Sequence, residues 1–384
     1  MRLISRTLNQ IQSPVSAAQN LMRDYRGKRA LLDLSQGSPS YATAPAIAKH
    51  IAEAALAPDG GKYTTRAGFE KLRELVADDI SELYSGSVTS NQILITAGCN
   101  QAFCIAVSAL ADVDDEVILC VPFYFNHDMW LRLERIRPVY LESGSGFSPD
   151  PDAARALISA RTRAIVIVTP GNPTGVTIPR SVIDAFGELA RKSNIALIID
   201  ETYKAFRAGD GAAHGLFSRT DWPQHVVSLH SFSKEFAIPG HRVGAVVGDS
   251  ALIVEMMKFF DCISICAPRL GQEAMIEALT NCKEWRRSRA AELRQKEARF
   301  RVAFASRPGG FELCSAGAFF GWVRHPRGAG TTEQVVLQLL QECGILVLPG
   351  TIFTPSDGSY LRFSFGGLSI GEIDELGERL CEFS

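Results

Sequence analysis

From residue 93 onward the chain alternates short, unbroken apolar runs with longer stretches of helical periodicity. The runs are Ile93–Thr96, Val117–Val121, Pro138–Leu141, Ala164–Val168, Ile195–Ile199, Val226–Leu229 and Val243–Val247. An apolar run without polar alternation is a strand covered on both faces, and strands separated by helices assemble into a mostly parallel sheet. The pattern therefore predicts an α/β large domain with a seven-stranded, mostly parallel sheet flanked by helices. Before it, Leu31–Pro39 reads as a short strand entering a turn. Ala44–Leu56 and Phe69–Leu83 read as amphipathic helices separated by the breaker Pro58–Gly61 and the loop Tyr63–Gly68. After residue 250 the pattern turns helical, with a charged segment from Trp285 to Phe304. It ends in strand-like Ala318–Val323, Ile345–Leu348 and Tyr360–Phe365, a smaller α+β domain that the strand near Leu34 joins. The expected division is residues 1–44 as N-terminal arm and part of the small domain, 45–265 as the large domain, and 266–384 as the small C-terminal domain.

Composition adds exclusions. The 384 residues are 46% hydrophobic and 21% charged, with a net charge of −2, so no basic footprint points to nucleic acid or an anionic membrane. No apolar run is long enough to span a bilayer, and the first residues lack the apolar core of a secretory signal. The nine cysteines form no CxxC pair and sit in apolar segments, which reads as buried, reduced thiols in a cytoplasmic protein without a metal site.

In parallel sheets ligands lie at the carboxyl ends of strands, so the residues that follow each run carry the candidate chemistry. Gly98-Cys99-Asn100 opens a helix, a place where free N–H groups and the helix dipole receive phosphate. Tyr124 follows the second run and has the flat face that stacks on a ring, with His127 three residues on. Asn172 sits in Thr169-Pro-Gly-Asn-Pro-Thr-Gly175, a dense turn that fixes its amide. Asp200 ends an apolar strand, where a carboxylate needs a cationic partner or serves as a helix cap, and Tyr203 follows it. Ser231-Phe-Ser-Lys234 follows the sixth run, with Arg242 eight residues beyond the lysine. A desolvated lysine amine condenses with carbonyls, and a serine with an arginine holds phosphate. Each feature has an ordinary structural reading; together, in this order, they suit a phosphorylated pyridine ring with a phenolic oxygen and an aldehyde.

With these residues the sequence resembles the class I/II aminotransferases, fold-type I enzymes that use pyridoxal 5′-phosphate (PLP). The resemblance runs from about Leu31 to the C-terminus and rests most on Asn172-Pro-Thr-Gly175 and on Ser231-x-x-Lys234 with Arg242. It implies an internal aldimine and proton shuttle at Lys234, Asp200 on the pyridine nitrogen, and Tyr203 and Asn172 on the phenolic oxygen. Tyr124 would lie on the ring, with His127 supporting the aspartate. Gly98, Cys99, Asn100, Ser231 and Arg242 would hold the phosphate. Tyr63 would reach the phosphate of a neighbouring subunit, which implies a homodimer. Arg362 would grip the substrate α-carboxylate, with Gly37 over the substrate. The usual Gly-Glu-Pro-Asp is Gly37-Ser-Pro-Ser here, and Cys99-Asn100 replaces a commoner small-small or small-lysine pair. Arg269 stands where an acidic substrate could be met or where a structural arginine serves equally well. The implied reaction is amino transfer between an L-amino acid and a 2-oxo acid. A lyase, a cyclising synthase or an oxidative enzyme on the same scaffold shares every cofactor residue. A regulator fused to a DNA-binding domain lacks the required basic N-terminal domain. Gly367-Leu-Ser-Ile-Gly371 lacks the downstream histidine of a hydrolase elbow.

Overall fold

The computed structural model describes residues 4–209, 211–356 and 358–383. In chain order the strands are β1 (Leu32–Asp33), β2 (Ile93–Thr96), β3 (Glu116–Val121), β4 (Arg137–Glu142), β5 (Thr162–Val168), β6 (Ala196–Asp200), β7 (Val226–Ser231) and β8 (Gly244–Val247). They continue with β9 (Glu312–Gly317), β10 (Phe320–Arg324), β11 (Ile345–Leu346), β12 (Leu348–Pro349) and β13 (Tyr360–Ser364).

The large sheet has seven strands in the order β2-β8-β7-β6-β5-β3-β4. Its central strands are buried at every position, as in Ala196-Leu-Ile-Ile-Asp200 and Val226-Val-Ser-Leu-His-Ser231, because helices cover both faces. Strand β8 alone runs against its neighbours. A parallel return requires a crossover of a dozen or more residues, commonly through a helix; the chain between β7 and β8 contains only a compact loop and turns straight back. That return pairs Ser231 with Gly244, which brings the loop holding Lys234 and Arg242 back onto the sheet's end.

The second body is the antiparallel sheet β12-β13-β10-β9 covered by helices Lys283–Ala303 and Ile370–Leu380. Phe300, Phe304, Phe311, Phe363 and Phe365 fill the core between them. The N-terminal segment belongs to this body. β1 pairs with β11, and Ser364 donates its N–H to the carbonyl of Leu34 at 2.9 Å. Helix Arg269–Asn281 packs instead in the core round the large sheet, against helix Pro45–Leu56. Trp285, at the start of the next helix, touches both cores.

The small body departs from the apolar pattern in two places. Ala318-Phe319 is not strand but the reversal between β9 and β10, with Ala318 at φ 50°. Ile345–Leu348 is not one strand: its two halves pair with different partners, β11 with β1 and β12 with β13. Both runs are apolar because both are buried, which periodicity alone cannot tell from strand.

Candidate active site

The carboxyl ends of β5, β6 and β7 open into a cavity of about 200 Å³, lined by Cys99, Asn100, Tyr124, Val168, Asn172, Asp200, Thr202, Tyr203, Ser231, Ser233, Lys234, Pro239 and Arg242. Residues scattered over the sequence converge here because most of them follow a strand of one sheet, while Pro239 and Arg242 lie in the loop between β7 and β8.

Asp200, the last residue of β6, is 4% exposed. Burial pushes its carboxyl up, but hydrogen bonds from His127 and Thr202 outweigh that and hold it below the usual carboxylate range. Thr202 N donates to Oδ1 at 3.0 Å, and His127 Nε2 lies 3.4 Å from Oδ2. His127 is fixed by stacking on Phe103, with ring centroids 3.9 Å apart. The Cys99 thiol also points at Asp200, with Sγ 3.5 Å from Oδ1. Burial and that carboxylate raise its pKa well above normal, so it is a neutral donor. The Cys99 side chain therefore serves the carboxylate, while the helix Cys99–Leu110 offers its backbone N–H groups from the N-cap Gly98, at φ 89°.

Lys234 is set in the loop after β7, and the Tyr41 hydroxyl donates to its carbonyl at 2.7 Å. Burial, with the nearby Arg242 and Arg362 charges, lowers its amine from 10.5 to about 8. Arg242 is exposed, in the left-handed region at φ 51°, and donates to the carbonyls of Pro239 at 2.9 Å and Ala97 at 3.2 Å. Gly98 suits this turn because its φ of 89° is strained for a residue with a side chain, and a Cβ there would also displace the tip of Arg242, 2.3 Å away at Nη2.

Asn172 Nδ2 donates to the Tyr203 hydroxyl at 3.3 Å, and Asn172 Oδ1 accepts from Arg362 Nη1 at 3.2 Å. The first contact joins two loops of the large sheet; the second joins the large sheet to β13. Arg362 is 3% exposed, and its Nη2 donates to the carbonyl of Ser35. Its Nε is buried without a partner, and among the described residues it forms no ion pair. Gly37 lies beside it: a Cβ there would stand 3.0 Å from the Phe320 ring and 3.9 Å from Arg362 Nη1.

Two candidates lie elsewhere. Tyr63 is 75% exposed and does not line its own chain's cavity. Arg269 is committed to protein contacts. It pairs with Asp59, lies 3.7 Å from Glu273, and covers the Phe69 ring at 5.0 Å. Sequence reasoning did not single out Thr202, Ser233, Ser35 or Tyr41. Thr202 carried a signal, since an aspartate commonly accepts from the N–H two residues on. Ser35 and Tyr41 act through the chain fold and carried none.

The donor set suits PLP. The cavity offers an amine lowered to about 8, a buried carboxylate, a phenol with an amide beside it, a helix start, and an arginine near two serines. Ser233 Oγ, on the cavity wall, is a buried polar atom without a partner, placed where a polar ligand would satisfy it, and Arg362 Nε, on the side chain bonded to Asn172, is likewise unpartnered. Among the described residues no group of His, Cys, Asp and Glu is arranged to hold a metal ion, and no helix is long and apolar enough to cross a membrane.

The profile of the family "Aminotransferase class I and II" matches residues 29–380. An aspartate aminotransferase of Pyrococcus horikoshii is 30% identical over 339 residues, which cover 87% of this chain and 86% of that protein. The aromatic aminotransferase ISS1 of Arabidopsis thaliana is 28% identical over 388 residues, covering 98% and 95%. The solved structure of a single mutant of Thermus thermophilus aspartate aminotransferase is 27% identical, superposes with a TM-score of 0.89, and covers 100% of both chains. A chain matched by this profile over nearly its whole length, with that fold, belongs to the class I and II aminotransferase family and is an enzyme of that kind.

Proposed function

We propose that this enzyme binds PLP in the cavity at Lys234 and moves an amino group between an L-amino acid and a 2-oxo acid. The observation that carries the reading is the charge inventory of the site. Lys234 and Arg242 line it and Arg362 bonds to Asn172 on its wall, against the single carboxylate of Asp200 among the lining residues. That excess of positive charge fits a phosphate and a substrate carboxylate. PLP, when bound, supplies an aldehyde for the amine and a protonated ring that withdraws electrons from the substrate Cα. Asp200, held ionised by His127 and Thr202, keeps the ring nitrogen protonated. Tyr124 would stack on the ring, and Tyr203 with Asn172 would hold the phenolic oxygen. Gly98, Cys99, Asn100, Ser231 and Arg242 take the phosphate. Arg362 orients the substrate by its α-carboxylate, the two-pronged contact for which a guanidinium is suited, and Gly37 leaves room above it. With an amine near 8, roughly a tenth of Lys234 is neutral at pH 7. Nζ then takes the proton from the substrate Cα and returns it during turnover.

The functional unit in this reading is a cytoplasmic homodimer. Exposed Tyr63 reaches the phosphate site of the neighbouring subunit, and exposed Leu56, Ile263 and Ile265 contribute to the covered face. The decisive experiment is a screen of amino donors with PLP-loaded protein, following the visible absorbance of the lysine-bound cofactor. A productive donor converts it to the pyridoxamine form, and a 2-oxo acid restores it. Lys234→Ala is expected to abolish both the band and turnover. Ammonia release without pyridoxamine phosphate would replace the transfer reading with a lyase.

A further inference from the structure

We infer that Phe353, together with Phe320, is a positioning residue for Arg362, and that Phe353 couples the grip on the substrate carboxylate to the loop carrying Tyr124. The inference rests on the proposed aminotransferase reading of the cavity and goes beyond it to residues that touch no reacting atom.

Arg362 has an unusual environment for a buried guanidinium. Its two protein acceptors are neutral, the Asn172 side-chain oxygen and the Ser35 carbonyl. In place of a carboxylate it has two aromatic rings: its Cζ lies 5.2 Å from the centroid of Phe320 and 5.4 Å from that of Phe353. Both rings are fully buried. A cation against desolvated ring faces is held by their quadrupoles, and the contact leaves its N–H edge available. The Nε–H on that edge has no protein partner. The rings therefore stabilise the charge without using the donors that a carboxylate needs, whereas a protein carboxylate would occupy them.

Phe320 accounts for one small residue in the site. A Cβ at Gly37 would meet the Phe320 ring at 3.0 Å and lie 3.9 Å from Arg362 Nη1, so a side chain there would have to displace that ring by a few tenths of an ångström. Phe320 is also packed edge-on by Tyr203, with centroids 5.1 Å apart.

Phe353 reaches in the other direction. Its carbonyl accepts from the Phe123 N–H at 2.9 Å, and its ring packs edge-on against Phe125, with centroids 5.7 Å apart. Phe123 and Phe125 flank Tyr124, which lies on the cavity wall. One residue of the small body thus holds both sides of Tyr124 by its main chain and its ring, and holds Arg362 by the same ring. Trp322, with its centroid 5.8 Å from that of Phe353, backs the ring against β10. A displacement of Phe353 moves the carboxylate grip and the ring-stacking loop together.

The test uses PLP-loaded enzyme and two amines, 2-methylalanine and isopropylamine, which differ by the carboxylate. 2-Methylalanine has no Cα hydrogen to lose, and isopropylamine has one but lacks the carboxylate that orients a substrate for transfer, so the initial spectral change on titration, read before any turnover, reports binding. Phe353→Leu is expected to keep the cofactor's affinity within about twofold and to bind 2-methylalanine about tenfold more weakly, the weight of a desolvated cation–ring contact. Isopropylamine binding is expected to be unchanged. Phe353→Tyr, which keeps the ring, is expected to restore 2-methylalanine binding. If Phe353→Leu does not fold, Phe353→Met is read in the same way. Unchanged 2-methylalanine binding with a lowered melting temperature would reduce Phe353 to a core residue, and equal loss for both amines would reduce it to general support of the cavity; either outcome overturns the inference. A wild-type protein that forms no cofactor band with Lys234 fails one step earlier, at the functional reading, and takes this inference with it.

Discussion

Lys234 carries a measurable consequence even without cofactor. Its amine falls to about 8 in the folded chain and stands at 10.5 in the unfolded one. Below pH 8 both states are charged and the folded state bears the whole burial cost. Between about pH 8 and 10.5 folding releases a proton, and the cost fades as pH rises. Lys234→Met should therefore stabilise the apo-protein at pH 7 by up to about 3 kcal/mol. The gain should shrink steadily toward pH 10, as urea unfolding at several pH values would register. An equal gain at all pH values would mean that packing, not charge, is responsible. At this scale much was legible in the residues themselves. Asn172, Asp200, Tyr203 and Lys234 stand at strand ends, and strand ends of one sheet meet. Cys99 was only half legible. Its place at a helix start pointed to phosphate, but the side chain's reach to Asp200 depends on how that helix is rotated against β6, which no local pattern encodes. The same holds for Ser35, which meets Arg362 through a chain separation of 327 residues.

Between elements, the two bodies also meet near the site backbone against backbone. Gly175, at φ 72° in the turn that carries Asn172, faces Gly317 at the end of β9. A Cβ on Gly175 would lie 2.3 Å from Gly317 N and 2.5 Å from its O. A Cβ on Gly317 would lie 2.1 Å from the Gly175 carbonyl. No side chain can swing aside to relieve such a clash. Gly175→Ala should therefore cost at least about 2 kcal/mol, strained φ and overpacking combined. It should also weaken substrate binding by shifting β9 and β10 away from the Asn172 turn. Gly146 has a similar φ of 71° with nothing within 4 Å, so Gly146→Ala should show the φ penalty alone, about 1 kcal/mol. Comparable urea midpoints for the two variants would contradict the close-contact argument. The elements of the large sheet were legible because fully buried strands have a distinct, unbroken apolar signature. Those of the small body were less so: β11 and β12 are two residues each, and their separate partners are fixed only by the tertiary arrangement.

Over the whole molecule, the cavity is lined by loops of the large sheet, with Arg362 of the small body bonded to Asn172 on its wall, and the chain exposes a large tyrosine and several aliphatic residues. Arg66 pairs with Asp261 at 3.4 Å, and Gln272 donates to Thr64 at 2.8 Å, so the Tyr63 loop is tied to the helix Ser250–Ser264 and to helix Arg269–Asn281. The protein should sediment at twice the chain mass at micromolar concentration, and Tyr63→Phe should loosen PLP severalfold without changing that mass. A monomeric sedimentation coefficient would sink the shared-site arrangement. Oligomeric state was not legible in composition or periodicity; only the resemblance suggested it. The commitment of Arg269 to Asp59, Glu273 and Phe69 likewise lay beyond the sequence, because those partners are distant in the chain. The neutral surroundings of Arg362 have a practical corollary at the bench. A buried cation whose protein acceptors are uncharged will take up whatever small oxyanion the solution supplies, so acetate, citrate or sulfate should act as competitive inhibitors, and apparent substrate preferences will depend on the choice of buffer.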